Sequence, residues 1–218
     1  MKTPSAIINR PGGFIITDRA ISFCGFQKGA KLLDLGCGSG ATVDYLRDNH
    51  GFEAYGIDTH PKPSRVQHYL INASAETLPL PAVCLDGVLM ECSFSLMDDQ
   101  ERVLQECFRV LQPGGRLIVS TLYARRESAK LNSCLKRIDT KDDLVVLIEH
   151  NGFLIELFED YTHDLKTMWG QMIFEQGTHA FYCDLGVAPE TMKRIQCGYC
   201  LMIAAKKNER HAVLSRPG

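Results

Sequence analysis

The sequence predicts an α/β fold, a largely parallel sheet with helices on both faces, and two observations carry that reading. Short apolar runs alternate with helix-period segments from residue 31 to 122, the pattern of strands joined by helical crossovers. Within that stretch, "KLLDLGCGSGATVDYL" (31–46) sets three glycines at alternate positions directly behind an apolar run. Glycine admits positive φ there, so the chain turns sharply from a strand into a helix.

The elements follow in order. An arm over residues 1 to 16 precedes "TDRAISFCGF", where Thr17 is placed to cap a short helix with Asp18 in its first turn. Leu32, Leu33 and Leu35 form the first strand, and Ala41, Val43, Tyr45 and Leu46 begin the next helix. "FEAYGIDTH" gives a second strand ending at Asp58, "HYLIN" (68–72) a third, and "LDGVLMECSFSL" a fourth from near Asp86. Asp98 followed by Glu101 resembles a capping box, opening a helix whose buried stripe is Val103, Leu104, Cys107, Val110 and Leu111. "QPGG" stops that helix and "RLIVSTLY" supplies a fifth strand. A helix in "KDDLVVLIEH", a strand in "FLIELFEDY", a mixed segment from His163 to Leu185 and a last strand in "GYCLMIAAKK" complete the chain before a polar tail.

Length and composition bound the function. A chain of 218 residues with 45% hydrophobic content is one domain with a substantial core. The net charge of −2 provides no basic field, so neither a nucleic-acid nor a membrane partner is expected. The N-terminus lacks the apolar core of a signal peptide, and nowhere do eighteen apolar residues run together. A cytoplasmic protein is expected. Nine cysteines, an odd number scattered from Cys24 to Cys200, fit reduced thiols. "CGYC" (197–200) has redox-motif spacing but enters a strand, where an offset of three sends Cys197 and Cys200 to opposite faces. His50, His60, His68, His150, His163, His179 and His211 show no metal-ligand spacing, and no metal is assigned. The basic cluster "ARRESAKLNSCLKR" (124–137) suits a solvated loop or an anionic-substrate contact, and it carries no interleaved aromatics for base stacking.

The glycine turn implies a ligand. Helix-opening amides have no intrahelical acceptor and face the crevice, which describes a nucleotide-like cofactor site. Gly36, Gly38 and Ala41 also satisfy the relaxed dinucleotide pattern, and Asp58, eighteen residues after Gly40, accepts ribose hydroxyls in either case. Asp34 separates the two. A carboxylate there repels a pyrophosphate but pairs with the ammonium of a methionyl group.

On "LLDLGCGSG", the acidic residue in "YGIDTH", "ASAETLPLP", "LDGVLMECSF" and "VLQPGGRLIVS", the chain resembles the class I S-adenosylmethionine-dependent methyltransferases. The motifs follow the family's order and cover about residues 20 to 125. The flavour is similar to the small-molecule enzymes of ubiquinone and menaquinone biosynthesis. The resemblance implies a Rossmann-like, doubly wound sheet of seven strands, mostly parallel with an antiparallel last strand, and the cofactor at its carboxyl edge. By position, Gly36, Cys37 and Gly38 in the turn that ends at Gly40 contact the methionyl part, with Asp34 behind them, and Asp58 takes the ribose. Thr59 lies beside the adenine, Ser74, Ala75 and Glu76 approach its exocyclic amine, and Glu91 with Cys92 lies under the methionyl group. Many relatives place Asp where this chain has Ser74. Cys92, Phe94, Tyr123, His163 and Trp169 are the candidates for the acceptor pocket.

The expected organisation is one methyltransferase domain over 1–218: arm 1–16, cofactor-binding core 31–122, substrate-side part 123–206 and tail 207–218. The arm motif "NRPGGF" is a closing flap or an entry turn. Segment 162–184, with its Met and Trp, is core or a cover over the substrate. The expected function is in-line methyl transfer from S-adenosylmethionine to a small molecule, leaving S-adenosylhomocysteine. A non-catalytic cofactor-binding subunit and a nicotinamide-dependent oxidoreductase stay open, and no catalytic residue, acceptor or oligomeric state is named by the sequence.

Overall fold

The computed structural model describes residues 10–62 and 68–207, so residues 1–9 of the arm and 208–218 of the tail lie outside the described residues. The chain runs α1 (Phe14–Cys24), β1 (Lys31–Leu35), α2 (Ala41–His50), β2 (Glu53–Asp58), β3 (Leu70–Asn72) and β4 (Leu85–Glu91). A 3-10 turn (Phe94–Leu96), α3 (Gln100–Val110) and β5 (Leu111–Ala124) follow, then the small hairpin β6 (Ala129–Lys130) and β7 (Arg137–Ile138). The rest is α4 (Lys141–His150), β8 (Phe153–Asp160), α5 (Thr162–Gln176), α6 (Thr178–Leu185), α7 (Pro189–Ile195) and β9 (Cys197–Lys206).

Seven strands form one sheet in the order β3-β2-β1-β4-β5-β9-β8. The first five are parallel, and β9 is antiparallel to both β5 and β8, so it alone runs against the others. This is the doubly wound, Rossmann-like sheet that the sequence predicts. The chain winds outward from β1 to β3 and returns to β4 beside β1, which makes the carboxyl ends of β1 and β4 the switch point where such sheets open a crevice.

Period-two alternation sends side chains to two cores. Leu33 and Leu35 join Val88, Met90, Leu117 and Val119 beneath the α3 stripe Val103, Leu104, Cys107 and Val110. Leu32, Leu89, Ile118, Leu201 and Ile203 face Ile16 and Ala20 of α1, Val43 and Leu46 of α2, and Leu165 of α5. Burial on both faces explains why β1 reads as a continuous apolar run broken only by Asp34. Cys200 belongs to the first core and Cys197 borders the second, on opposite faces as their spacing requires. No helix of the described residues is long and apolar enough to cross a membrane.

Several expectations need correction. α1 starts at Phe14 behind Gly13, so Thr17 lies inside the helix, buried, and caps nothing. The N-cap of α3 is Asp99, which accepts from the Arg102 amide at 3.0 Å, one residue later than the capping box implied. The mixed segment is two helices parted at Gly177, α5 and α6. The basic cluster is largely loop, as one reading of the sequence expects, with Arg125, Arg126, Lys130 and Lys136 exposed; the two-residue strands β6 and β7 tie it into a hairpin, and Arg137 pairs with Asp139 and Lys136 with Asp98 at 3.0 Å.

Candidate functional site

The glycine turn is tied to β2 through its backbone. The amides of Gly36 and Cys37 both donate to the Ile57 carbonyl, at 2.8 and 3.2 Å, and the Gly40 amide donates to the Cys37 carbonyl at 2.8 Å. Gly36 has φ +76°, and a Cβ there would lie 2.4 Å from Cβ of Ser93. The absent side chain therefore lets the end of β1 approach the segment after β4, where Ser93 Oγ donates to the Leu35 carbonyl at 2.6 Å. Gly40 precedes α2 without a capping side chain, leaving the first-turn amides of that helix to an external acceptor.

Above this turn lies a cavity of about 330 Å³. Gly36, Asp58, Thr59, Ser74, Ala75, Glu76 and Cys92 line it together. Leu96, Met97 and Asp98 close its other wall, residues the sequence reading left out; their signal is their place directly behind the fourth strand. Asp58 is already oriented, its carboxylate accepting from the Gly38 amide at 2.9 Å and the His60 amide at 2.8 Å. Ser74 Oγ accepts from the Glu76 amide at 3.1 Å, and Glu76 accepts from the Asp99 amide at 3.1 Å, which joins the two walls.

The cysteines divide. Cys37 turns away from the cavity onto β2, where a Cβ at Gly56 would lie 2.7 Å from its Sγ, and burial pushes its thiol up to about 12. Cys92 borders the cavity in a left-handed conformation, φ +59°, unusual for a residue with a side chain. Its Sγ donates to the Tyr199 hydroxyl at 3.1 Å, which donates to Ser120 Oγ at 3.0 Å. Burial pushes the Cys92 thiol up to about 11, so it is a neutral packing and hydrogen-bonding group.

Asp34 and Glu91 share the sheet face covered by α1 and α2. Glu91 is saturated: it accepts from Thr17 Oγ1 at 2.7 Å and Thr42 Oγ1 at 3.1 Å, and it pairs with the Arg10 guanidinium at 2.9 Å. Arg10 also donates to both threonine hydroxyls at 2.7 Å. Arg10, Thr17 and Thr42 had no functional signal in the sequence, because only the fold brings arm, α1 and α2 to one carboxylate. Asp34 is 4% exposed and has no hydrogen bond to the described residues. Burial, then the Glu91 charge, pushes its carboxyl up to about 8 against the opposing pull of Arg10.

The four remaining acceptor-side candidates are not brought into this cavity. Phe94 is fully buried in the α3-side core. Tyr123 packs edge-on to Phe158 at 5.5 Å and donates its hydroxyl to Asp160. His163 is exposed in the first turn of α5. Trp169 is half-buried, edge-on to Phe181 at 5.5 Å, beside a third cluster of Ala124, Ile138, Val187 and Ile195. Among the described residues no group of three or more metal-ligating side chains converges.

Residues 33–119 match the family model of the methyltransferase domain. A malonyl-[acyl-carrier protein] O-methyltransferase of Enterobacter lignolyticus is 32% identical over 119 residues, covering 51% of this chain and 46% of that protein. A sarcosine/dimethylglycine N-methyltransferase of Halorhodospira halochloris is 25% identical over 186 residues, covering 77% and 67%. The chain spans about half the length of the first curated relatives it matches. Among solved structures, geranyl diphosphate methyltransferase in complex with S-adenosylmethionine superposes with a TM-score of 0.74 at 15% identity, over 89% of this chain and 85% of that one. The [4+2]-cyclase SpnF gives 0.69 at 21% identity, over 94% and 88%. Residues 33–119 are thus similar to a methyltransferase domain, and they lie on a doubly wound, Rossmann-like sheet.

Proposed function

We propose that the chain is an S-adenosylmethionine-dependent methyltransferase acting on a small, partly apolar molecule. The observation that carries this is the convergence of Gly36, Asp58 and the segment Ser74 to Glu76 on one cavity, with the buried Asp34 two residues before Gly36 on the same strand. These residues fit the cofactor. Gly36 offers bare backbone on the cavity wall to its methionyl chain, Asp34 offers a carboxylate to its ammonium, and Asp58 offers acceptors to its ribose. The adenine is assigned to Thr59, Ser74, Ala75 and Glu76. A dinucleotide fits poorly, because its pyrophosphate would meet Asp34.

When bound, S-adenosylmethionine supplies a sulfonium methyl that passes to the acceptor by in-line displacement. The chain's own task is to hold the two partners at near-attack distance and exclude water. The small acceptor is supported by the net charge of −2 and by a relative named for N-methyl transfer to sarcosine and dimethylglycine. The finer likeness to the ubiquinone and menaquinone type rests on the motif set alone. A single domain in the cytoplasm, with no nucleic-acid or membrane partner, completes the reading, supported by nine cysteines without a pairing pattern.

One observation favours a second reading, a cofactor-binding subunit without turnover: Phe94, Tyr123 and Trp169 are engaged in packing, so no acceptor-side residue among them opens into the cavity. Calorimetry with S-adenosylhomocysteine and NADH tests the cofactor; tight NADH binding without heat from S-adenosylhomocysteine overturns the assignment. Radiolabelled S-adenosylmethionine, supplied with cell extract split by ultrafiltration, tests the acceptor. Label in the low-molecular-weight fraction is expected, label confined to RNA or protein refutes a small acceptor, and no label despite tight binding selects the second reading.

A further inference from the structure

At the carboxyl edge of the α1–α2 face, two buried carboxylates, Asp34 on β1 and Glu91 on β4, share one guanidinium, that of Arg10. Geometry assigns the cation to Glu91, which takes Arg10 and two threonine hydroxyls. Asp34 is left with no donor among the described residues, in a position only 4% exposed. The groups facing it from each packed element are Glu91 from β4, Asp58 from β2, Arg10 from the arm and the Cys37 thiol from the glycine turn, which burial keeps neutral. Two of the three charges raise the cost of ionising Asp34, and burial adds to them, so its carboxyl is pushed up to about 8.

We infer that cofactor binding expels a proton from Asp34. The inference rests on the proposed cofactor. The O–H bond of the Asp34 carboxylic acid breaks, the proton passes to the solvent buffer, and the carboxylate so formed pairs with the ligand ammonium, which keeps its own hydrogens. The buried site is electrically balanced in both states: Glu91 with Arg10 beside a neutral Asp34 before binding, and the same pair beside an ionised Asp34 and its ammonium afterwards. Asp34 thereby selects a cationic ligand, and affinity rises with pH by up to roughly tenfold per unit below the titration of Asp34.

The test is calorimetry of the full chain with S-adenosylhomocysteine at pH 7, in phosphate and in Tris, whose ionisation heats differ. About one proton released per ligand is expected for the wild type, with a dissociation constant that tightens severalfold from pH 6 to pH 7. Asp34→Asn should bind with no buffer-dependent heat. Glu91→Gln, which frees Arg10 to hold Asp34 ionised beforehand, should release less than half a proton while still binding. Equal heats in the two buffers for the wild type overturn the inference, as does a full proton released by both variants. Binding without proton release refutes this coupling alone, whereas absence of binding at every pH refutes the cofactor assignment as well.

Discussion

The carboxyl edge of the sheet is open along β2, β1 and β4 and closed along β5, β9 and β8. On the open side the chain presents backbone amides and short polar groups, with Gly36, Asp58 and Ser74 around a cavity. On the closed side the equivalent positions are consumed by side-chain packing: Tyr123 on Phe158 and Asp160, and Trp169 on Phe181. The two sides differ in what holds them. The open side is fixed by glycines and main-chain hydrogen bonds that leave the ligand's place free, and the closed side by apolar contacts that fill it. A perturbation of the open side should therefore cost binding, and one of the closed side should cost stability.

The hardest test of this contrast is Gly36→Ala. Its φ of +76° disfavours a side chain, and the added Cβ would overlap Ser93. Either β1 and the segment after β4 separate or the turn reorients, at roughly 2–4 kcal/mol. S-adenosylhomocysteine binding measured by calorimetry should fall by roughly 30- to 700-fold for a displacement of that cost. Near-normal affinity with a normal melting temperature would mean that the turn does not shape the site.

Asp58→Asn ranks next. It keeps the side-chain shape and one acceptor for the Gly38 or His60 amide, and removes the charge that the proposed ribose contact needs. Affinity should weaken by roughly 1–2 kcal/mol with little change in melting temperature. A variant that loses several degrees of stability yet binds normally would make Asp58 a clamp on the turn and nothing more.

Glu106 tests the seam between the two regimes. It pairs with Arg109 at 2.7 Å and accepts from the Leu78 amide at 2.8 Å, while Arg109 donates to the Leu80 carbonyl at 2.8 Å. Together they pin the segment that follows Ser74 to Glu76. The hydrogen bond from Arg109 holds the Glu106 carboxyl down to about 2, against the cost of burial. For a depressed carboxyl the stabilisation is present above its unfolded value near 4.5 and is lost as pH falls toward about 2. Glu106→Gln should thus destabilise by about 1–3 kcal/mol at pH 7 and lose most of the wild-type decline in melting temperature between those pH values. An unchanged acid limb in the variant would show that other carboxyls govern acid unfolding.

The open side was legible in the sequence for a physical reason. A strand that must end, turn through positive φ and begin a helix within a few residues needs glycine at set positions, and local sequence records that need at Gly36, Gly38 and Gly40. Asp58 and Ser74 lie at the ends of strands whose apolar runs mark them, so the order of motifs gave the order around the cavity. The clasp of Arg10, Thr17 and Thr42 on Glu91 was not legible, since its members are separated by up to 81 positions and none breaks a local pattern. Thr17 carries a capping signal, a hydroxyl before an acidic residue, whereas its burial against Glu91 is a tertiary fact. Phe94 and Tyr123 follow strands four and five as an acceptor pocket would require, yet their rings fill the core, a choice made by contacts distant in sequence.

The gentlest perturbation is Tyr123→Phe, on the closed side. The ring would keep its edge-on contact with Phe158 and its place against Gly198, and only the hydroxyl bond to Asp160 would be lost. Asp160 would retain two donors, the Thr162 amide at 2.8 Å and the Thr162 hydroxyl at 3.1 Å. With the acceptor still served, the cost should be near the low end for a hydrogen bond, about 0.5–1 kcal/mol in denaturant unfolding. S-adenosylhomocysteine affinity should stay within about twofold of the wild type, a difference under 0.5 kcal/mol. Turnover separates two outcomes. If Tyr123→Phe leaves stability and cofactor affinity intact but raises KM for the methyl acceptor severalfold, its hydroxyl reaches the acceptor during catalysis, and the closed side opens in the working enzyme. If stability alone moves, the packing in the structure is also the packing in function.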